Sequence, residues 1–303
     1  MMFKISKKNF QNYVDFLIGK YEVWGPKKIG SDYVFSKLNN GQEFEDVRTV
    51  LSPKDLIYPP NEKLFEDNFK EIIVLGVKSC DYRAFKMLDD VLGIDSNYSM
   101  RRRVVHMFNF VCTEPCKFGF CTTFYGPRLE EYEMQFTDIG DYYLIETNDL
   151  RFVNDLFEKA SDDDLKIALE KSKNVYKKMQ KLNMDKLSEK IGWENPLWKE
   201  FSQRCISCGA CNFACPTCFC FDVYDENDRY REWDSCILAG FSKLAGNANP
   251  RPTLDLRLRQ RFLHKLKFHY ENFNYYLCTG CGRCIEICPV NIDIRDVIRS
   301  VNP

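Results

Sequence analysis

Along residues 1–150 the apolar positions come in short runs broken by turns. "DYVFSKL" (32–38), "EIIVLGV" (71–77), "VVHMFNFV" (104–111) and "DYYLIET" (141–147) have the length and the β-branched or aromatic content of strands. "CDYRAFKMLDDVLG" (80–93) repeats apolar residues at helical spacing instead. The mixture predicts an α/β-type domain. Residues 151–192 have no proline, one glycine at their very end and a sparse apolar stripe among mixed charges, which predicts a connector of one or two exposed helices. Beyond it the chain turns cysteine-rich, with a mostly helical, basic insert around "LDLRLRQRFLHKLKFHY" (254–270).

Composition narrows the class. In 303 residues, 45% hydrophobic and 29% charged, there is enough chain for two domains with cores of their own. A net charge of −1 makes no case for nucleic acid or an anionic membrane as partner. The most apolar runs fall far short of the roughly 20 residues that span a bilayer. No secretion signal is read at the start, so a cytoplasmic, reducing location is expected. There, 15 cysteines are better explained as metal ligands than as disulfides.

The cysteine spacing names the metal chemistry. Cys205, Cys208, Cys211 and Cys215-Pro216 repeat as Cys278, Cys281, Cys284 and Cys288-Pro289, the bacterial ferredoxin pattern twice over. In that pattern three closely spaced thiolates hold one [4Fe–4S] cluster and the fourth reaches its neighbour. The expected sets are therefore Cys205, Cys208, Cys211 and Cys288, and Cys278, Cys281, Cys284 and Cys215. Zinc ribbons also use C-x2-C pairs, but they gain nothing from a third evenly spaced cysteine followed by Cys-Pro. The expected architecture is α+β: an N-terminal α+β domain over 1–150, a helical connector over 151–192, and a mainly helical dicluster ferredoxin-like domain over 193–303.

Cys80, Cys112, Cys116 and Cys121 would suit a third [4Fe–4S] cluster if the fold brings residue 80 beside "CTEPCKFGFC"; otherwise they are buried apolar cysteines. Cys218, Cys220 and Cys236 remain, as structural residues or as substitutes for a ligand. Backbone near Gly209, Gly280 and Gly282 is a candidate to donate to cluster sulfur. His106, His264 and His269 show no metal spacing. The arginines at 101–103 and at 251, 257, 259 and 261 read as solvated faces, or else as groups that steer an acidic partner or dock against carboxylates. No dinucleotide or triphosphate motif occurs, so the chain reads as a non-catalytic electron carrier.

The segments "GVKSCDYRAFKMLD", "CTEPCKFGFC", "CPTCFCFDVYD", "REWDSC", "NPRPTLDLRLRQRFLHK" and "CTGCGRCIEICPVNIDI" resemble the iron–sulfur electron-transfer family shared by anaerobic sulfite reductases and the β subunits of sulfhydrogenases. That resemblance covers nearly the whole chain. It implies a third cluster in the amino-terminal domain, although "CTEPCKFGFC" is more open than the F-C-F-C ending of sulfhydrogenase β subunits. It also implies a heteromeric complex in which the chain relays electrons from a flavin-bearing, NAD(P)H-oxidising subunit to a catalytic one, or in reverse. The "DLRLRQRFLHK" and "PKDLIYP" stretches favour a sirohaem sulfite reductase, sulfite to sulfide, over a NiFe sulfhydrogenase. Rivals of another kind are an iron–sulfur redox sensor and a self-contained reductase.

Overall fold

The computed structural model describes residues 1–303, and the β-branched and aromatic runs form the strands expected of them. The first half holds strands β1 (Met2–Ser6), β2 (Glu22–Ile29), β3 (Asp32–Lys37), β4 (Asn61–Lys63), β5 (Ile72–Lys78), β6 (Val105–Phe110), β7 (Met134–Asp138) and β8 (Tyr142–Thr147), and β9 (Glu158–Lys159) follows at the start of the connector. All but β4 join one sheet in the order β3-β2-β5-β6-β7-β8-β1-β9. Its centre, from β2 to β7, is parallel, and both flanks are antiparallel.

Alternation along the central strands sorts side chains onto two faces. Ile73, Leu75, Phe108 and Phe110 meet Phe10, Tyr13, Val14 and Leu17, the i, i+3, i+4, i+7 stripe of helix α1 (Lys7–Ile18). Val74, Val77, Val105 and Met107 face the other way, onto Tyr82, Phe85, Leu88 and Leu92 of α2 (Ser79–Leu92). Helix α2 starts directly where β5 ends, and α3 (Ser96–Arg103) returns the chain to β6. The carboxyl ends of β5 and β6 therefore open on the same edge, the edge where parallel sheets bind ligands. Cys80 leaves from one strand and Cys112 from the other.

Two helices follow β9 within residues 151–192. In α4 (Asp162–Lys178) a capping box between Ser161 and Asp164 fixes the start, and Ala168, Ser172 and Val175 form the buried stripe. A single turn, α5 (Leu187–Lys190), follows. Next come α6 (Leu197–Arg204), α7 (Ala210–Phe213), α8 (Leu254–Leu263), α9 (His269–Phe273), α10 (Arg283–Glu286) and α11 (Ile294–Val301). Their shared core includes Trp198, Phe201, Phe262, Leu266 and Ile298, and Phe120 enters it from the first half.

One element breaks the simple division into halves. Strands β10 (Phe221–Asp225) and β11 (Arg229–Trp233) form a hairpin in the second half, and β4 from the first half pairs with β11 as its third strand. The pairing sets Arg231 opposite Glu62, and Arg231 Nε donates to Glu62 Oε1 at 2.9 Å with both side chains buried. The cysteine-rich half is thus mainly helical with one small sheet, and that sheet is completed by the first half.

Candidate metal centres

Each cysteine run makes the same local turn. Gly209 (φ +71°) and Gly282 (φ +76°) sit in the left-handed region that glycine adopts without strain, and each starts a one-turn helix, α7 or α10. The third cysteine of each run, Cys211 or Cys284, lies in that turn. The two short helices touch, as the internal repeat requires. Backbone amides also turn toward sulfur: Ser207 N–H donates to Cys205 Sγ at 3.4 Å and Ile292 N–H to Cys288 Sγ at 3.2 Å. Of the glycines expected to do this, Gly280 turns its amide to Cys278.

The fold brings the cysteines of the two runs to two neighbouring hollows, with Cys284 on the wall of both. Cys205, Cys208, Cys211 and Cys288 line one apolar hollow with Ile206, Ile237 and Phe262. Cys215, Cys278, Cys281 and Cys284 line a second with Phe120, Thr217 and Lys265. Cys288 has thus joined the first run and Cys215 the second. Nowhere do three or more Cys, His, Asp or Glu side chains converge so as to suit a single ion. Thiols spread around a hollow fit a polynuclear cluster better than zinc.

A third hollow lies at the carboxyl edge of β5 and β6. Cys80, from the first turn of α2, meets Cys112, Cys116 and Cys121 there, together with Val175, Met179 and Cys281. Burial pushes the thiol of Cys80 well up and that of Cys121 to about 12. The hydrogen bond with Cys112, and then Arg48, Arg283 and Lys78, draw Cys116 down. Ligands must be thiolates, so a buried set needs positive charge nearby. Arg48, Lys78 and Arg283 supply it, and each is held by a carboxylate. Lys78 pairs with Asp46, Arg48 with Glu286 at 2.8 Å, and Arg283 with Asp81 through two contacts of 2.6 and 2.8 Å.

Gly280 and Gly282 have a second duty that spacing alone does not reveal. The 112–126 loop crosses directly over them, and Phe120 N–H donates to Gly280 O at 2.7 Å. A Cβ at Gly282 would lie 2.4 Å from Phe118 O, and one at Gly280 would lie 2.7 Å from Cys121 N. Bare backbone at these points is what lets the two halves close.

The three remaining cysteines line none of the three hollows. Cys218 lies against Cys215 and Cys220 against Cys236, and Asn212 Nδ2 donates to Cys236 Sγ at 3.1 Å. The cations here escaped the sequence-based expectation. Arg257 and Arg261, expected on a solvated face, are buried. Arg261 Nε donates to Asn212 Oδ1 at 2.8 Å and its Nη2 to Cys211 O at 3.1 Å. Lys54 and Lys265 are buried as well. Arg101 and Arg102 dock against carboxylates, those of Glu62 and Asp89, the other reading open to them in the sequence. His106 bridges Glu71 and Glu133, while burial holds His264 and His269 down to about 4. No histidine lines a thiol hollow.

These hollows define an iron–sulfur protein of the [4Fe–4S] class, and residues 204–292 match the 4Fe–4S dicluster domain family. Sulfhydrogenase 2 subunit beta of Pyrococcus furiosus is 29% identical over 98% of this chain and 97% of its own length. The beta subunit of an F420-dependent formate dehydrogenase from Methanocaldococcus jannaschii is 27% identical over 34% of this chain and 21% of its own. Over nearly its whole length the chain is thus similar to a sulfhydrogenase β subunit, and its second half carries the 4Fe–4S dicluster match.

Proposed function

We propose that this chain is the electron relay of a multisubunit oxidoreductase, with three [4Fe–4S] clusters in series. It would link a flavin- and NAD(P)H-binding partner to a NiFe hydrogenase-type catalytic partner. One observation carries the reading: neighbouring hollows share a wall. Cys281 lines both the amino-terminal hollow and the middle one, and Cys284 lines both the middle hollow and the outer one. Bound there, the clusters would supply one-electron chemistry at three adjoining stations. The chain's own residues hold them in line, exclude water from the middle, and leave the outer end open. Cys208 is exposed at that end, and the adjacent Ile206 is 62% exposed, where a partner would dock.

The full-length relative supports the hydrogenase branch over the sulfite reductase expected from "DLRLRQRFLHK" and "PKDLIYP". Both stretches turn inward, bringing Lys265 and Lys54 to the middle hollow and Arg261 to the outer one. That task is common to either branch, so they do not discriminate. No helix is long and apolar enough to cross a membrane. A sensor needs one exposed cluster, and three adjoining thiol sets exceed that.

The test is iron and acid-labile sulfide on anaerobically purified protein, with reduced EPR. About twelve of each with spin-coupled signals supports the relay. About eight removes the amino-terminal station. Hydrogen evolution or sulfite reduction by the lone chain with an artificial donor would sink the relay in favour of a self-contained enzyme.

A further inference from the structure

Resting on that reading, we propose that Lys265 sets the redox potential of the Cys215, Cys278, Cys281 and Cys284 station. It makes this middle station the most easily reduced of the three, the place where an electron waits between partners.

The ground is an asymmetry in buried charge. Around the amino-terminal hollow, Lys78, Arg48 and Arg283 each have a carboxylate partner, so their charge is largely cancelled. The further cation there, Arg83, is half-buried and bonds only to the carbonyls of Gly126 and Arg128. At the middle hollow stand Lys265 and, behind it, Lys54, while Arg261 lines the outer hollow beside them; all three are buried, and none has a carboxylate partner. An unpaired buried cation is costly unless an anion is present, and here only sulfur and neutral oxygen are within reach. Lys265 Nζ lies 3.3 Å from Cys215 Sγ and 2.9 Å from Thr217 Oγ1, and it donates to Leu277 O at 3.3 Å. Lys54 sits behind it, donating to the carbonyls of Cys215 and Cys218 at 3.2 and 2.9 Å, with its ammonium 3.9 Å above the Trp233 ring. Arg261 stands between the middle and outer hollows.

The backbone is adapted to the same end. Between α8 and α9 the helix widens into a π-turn over His264–Phe268, and Lys265 lies within it. Such turns re-aim side chains and concentrate at functional sites. Leu277 N–H also donates to Lys265 O at 3.0 Å, tying this turn to the segment just before Cys278.

Reduction adds negative charge to a thiolate-bound cluster, so a fixed cation hydrogen-bonded to a ligand sulfur favours the reduced state and raises the potential. At the amino-terminal hollow the cation nearest a sulfur, Arg283 at 4.0 Å from Cys80 Sγ, is neutralised by Asp81; at the outer hollow Arg261 reaches the Cys211 carbonyl at 3.1 Å, and Cys208 is open to solvent. Electrons arriving from either end should therefore collect in the middle.

The test is an EPR-monitored redox titration of the full-length, anaerobically purified chain, wild type against Lys265→Met and Lys265→Arg, with iron counted on each. In the wild type one midpoint stands above the other two. Lys265→Met at full iron content lowers that midpoint alone, and Lys265→Arg keeps it near the wild-type value. Unchanged midpoints in Lys265→Met, or an equal shift of all three, overturn the proposal. If both variants lose a cluster, Lys54→Met decides, because Lys54 touches no ligand sulfur. It must lower the same midpoint, and no shift there overturns the proposal. A wild-type chain lacking the Cys215 station overturns the three-cluster reading itself, a failure visible in the iron count before any titration.

Discussion

Arg283 and Asp81 are the contact on which closure of the two halves is expected to depend most. The guanidinium of α10 meets the carboxylate of α2 through two bonds of 2.6 and 2.8 Å, with Arg283 Nε on Thr49 O at 3.2 Å. The two side chains are 0% and 1% exposed. Removing one partner of such a pair leaves the other charge buried alone, at a cost of about 3–5 kcal/mol. Arg283→Met and Asp81→Asn should each suffer this, whereas the double variant should recover much of it, since neither charge remains. With a urea slope of about 3 kcal/mol per M, each single variant should lower the midpoint by about 1–1.7 M. The assay is anaerobic urea denaturation of the iron-loaded chain, followed by cluster absorbance and far-ultraviolet dichroism together. A fall of under about 0.3 M in either single variant would show that the pair does not hold the halves together. So would a double variant that loses the sum of the two.

Gly282→Ala should push the 112–126 loop off α10, because the new Cβ would lie 2.4 Å from Phe118 O at a φ of +76°; bound iron should fall from about twelve to about eight or fewer. Crossed ligation predicts that Cys288→Ser loses one cluster, that adding Cys205→Ser loses no more, and that adding Cys278→Ser loses a second; iron counts decide. His106 is held above the ordinary histidine range by hydrogen bonds to Glu133 and then Glu71, against desolvation. Its contribution to stability is complete below about pH 6.5 and is lost as pH rises through the elevated folded value. The urea midpoint of wild type minus that of His106→Gln should shrink across that rise, and a constant difference would contradict it.

Ferredoxin spacing is a local rule. Three thiols within seven residues and a proline after the fourth suit one cluster whatever surrounds them, so both carboxy-terminal sets, with Cys215 and Cys288 exchanged, could be proposed from the chain alone. The central strands were equally plain, because two-residue alternation and β-branched content act over a few residues. What stayed hidden depends on closing long loops. Cys80 joins Cys112, Cys116 and Cys121 only because parallel β5 and β6 end on the same edge, and no spacing in the sequence encodes that edge. Strand β4 was invisible, being three residues long and paired across the halves. The basic helix was misread for the same reason. Arg257 and Arg261 look solvated in sequence, and only packing supplies the carbonyls that hold Arg257 and the cysteine-lined surroundings of Arg261 in which buried cations are stable. Which sulfurs can share a cluster is thus written locally along the chain. Their order in space and the charges around them come from packing, because both depend on residues far apart in sequence.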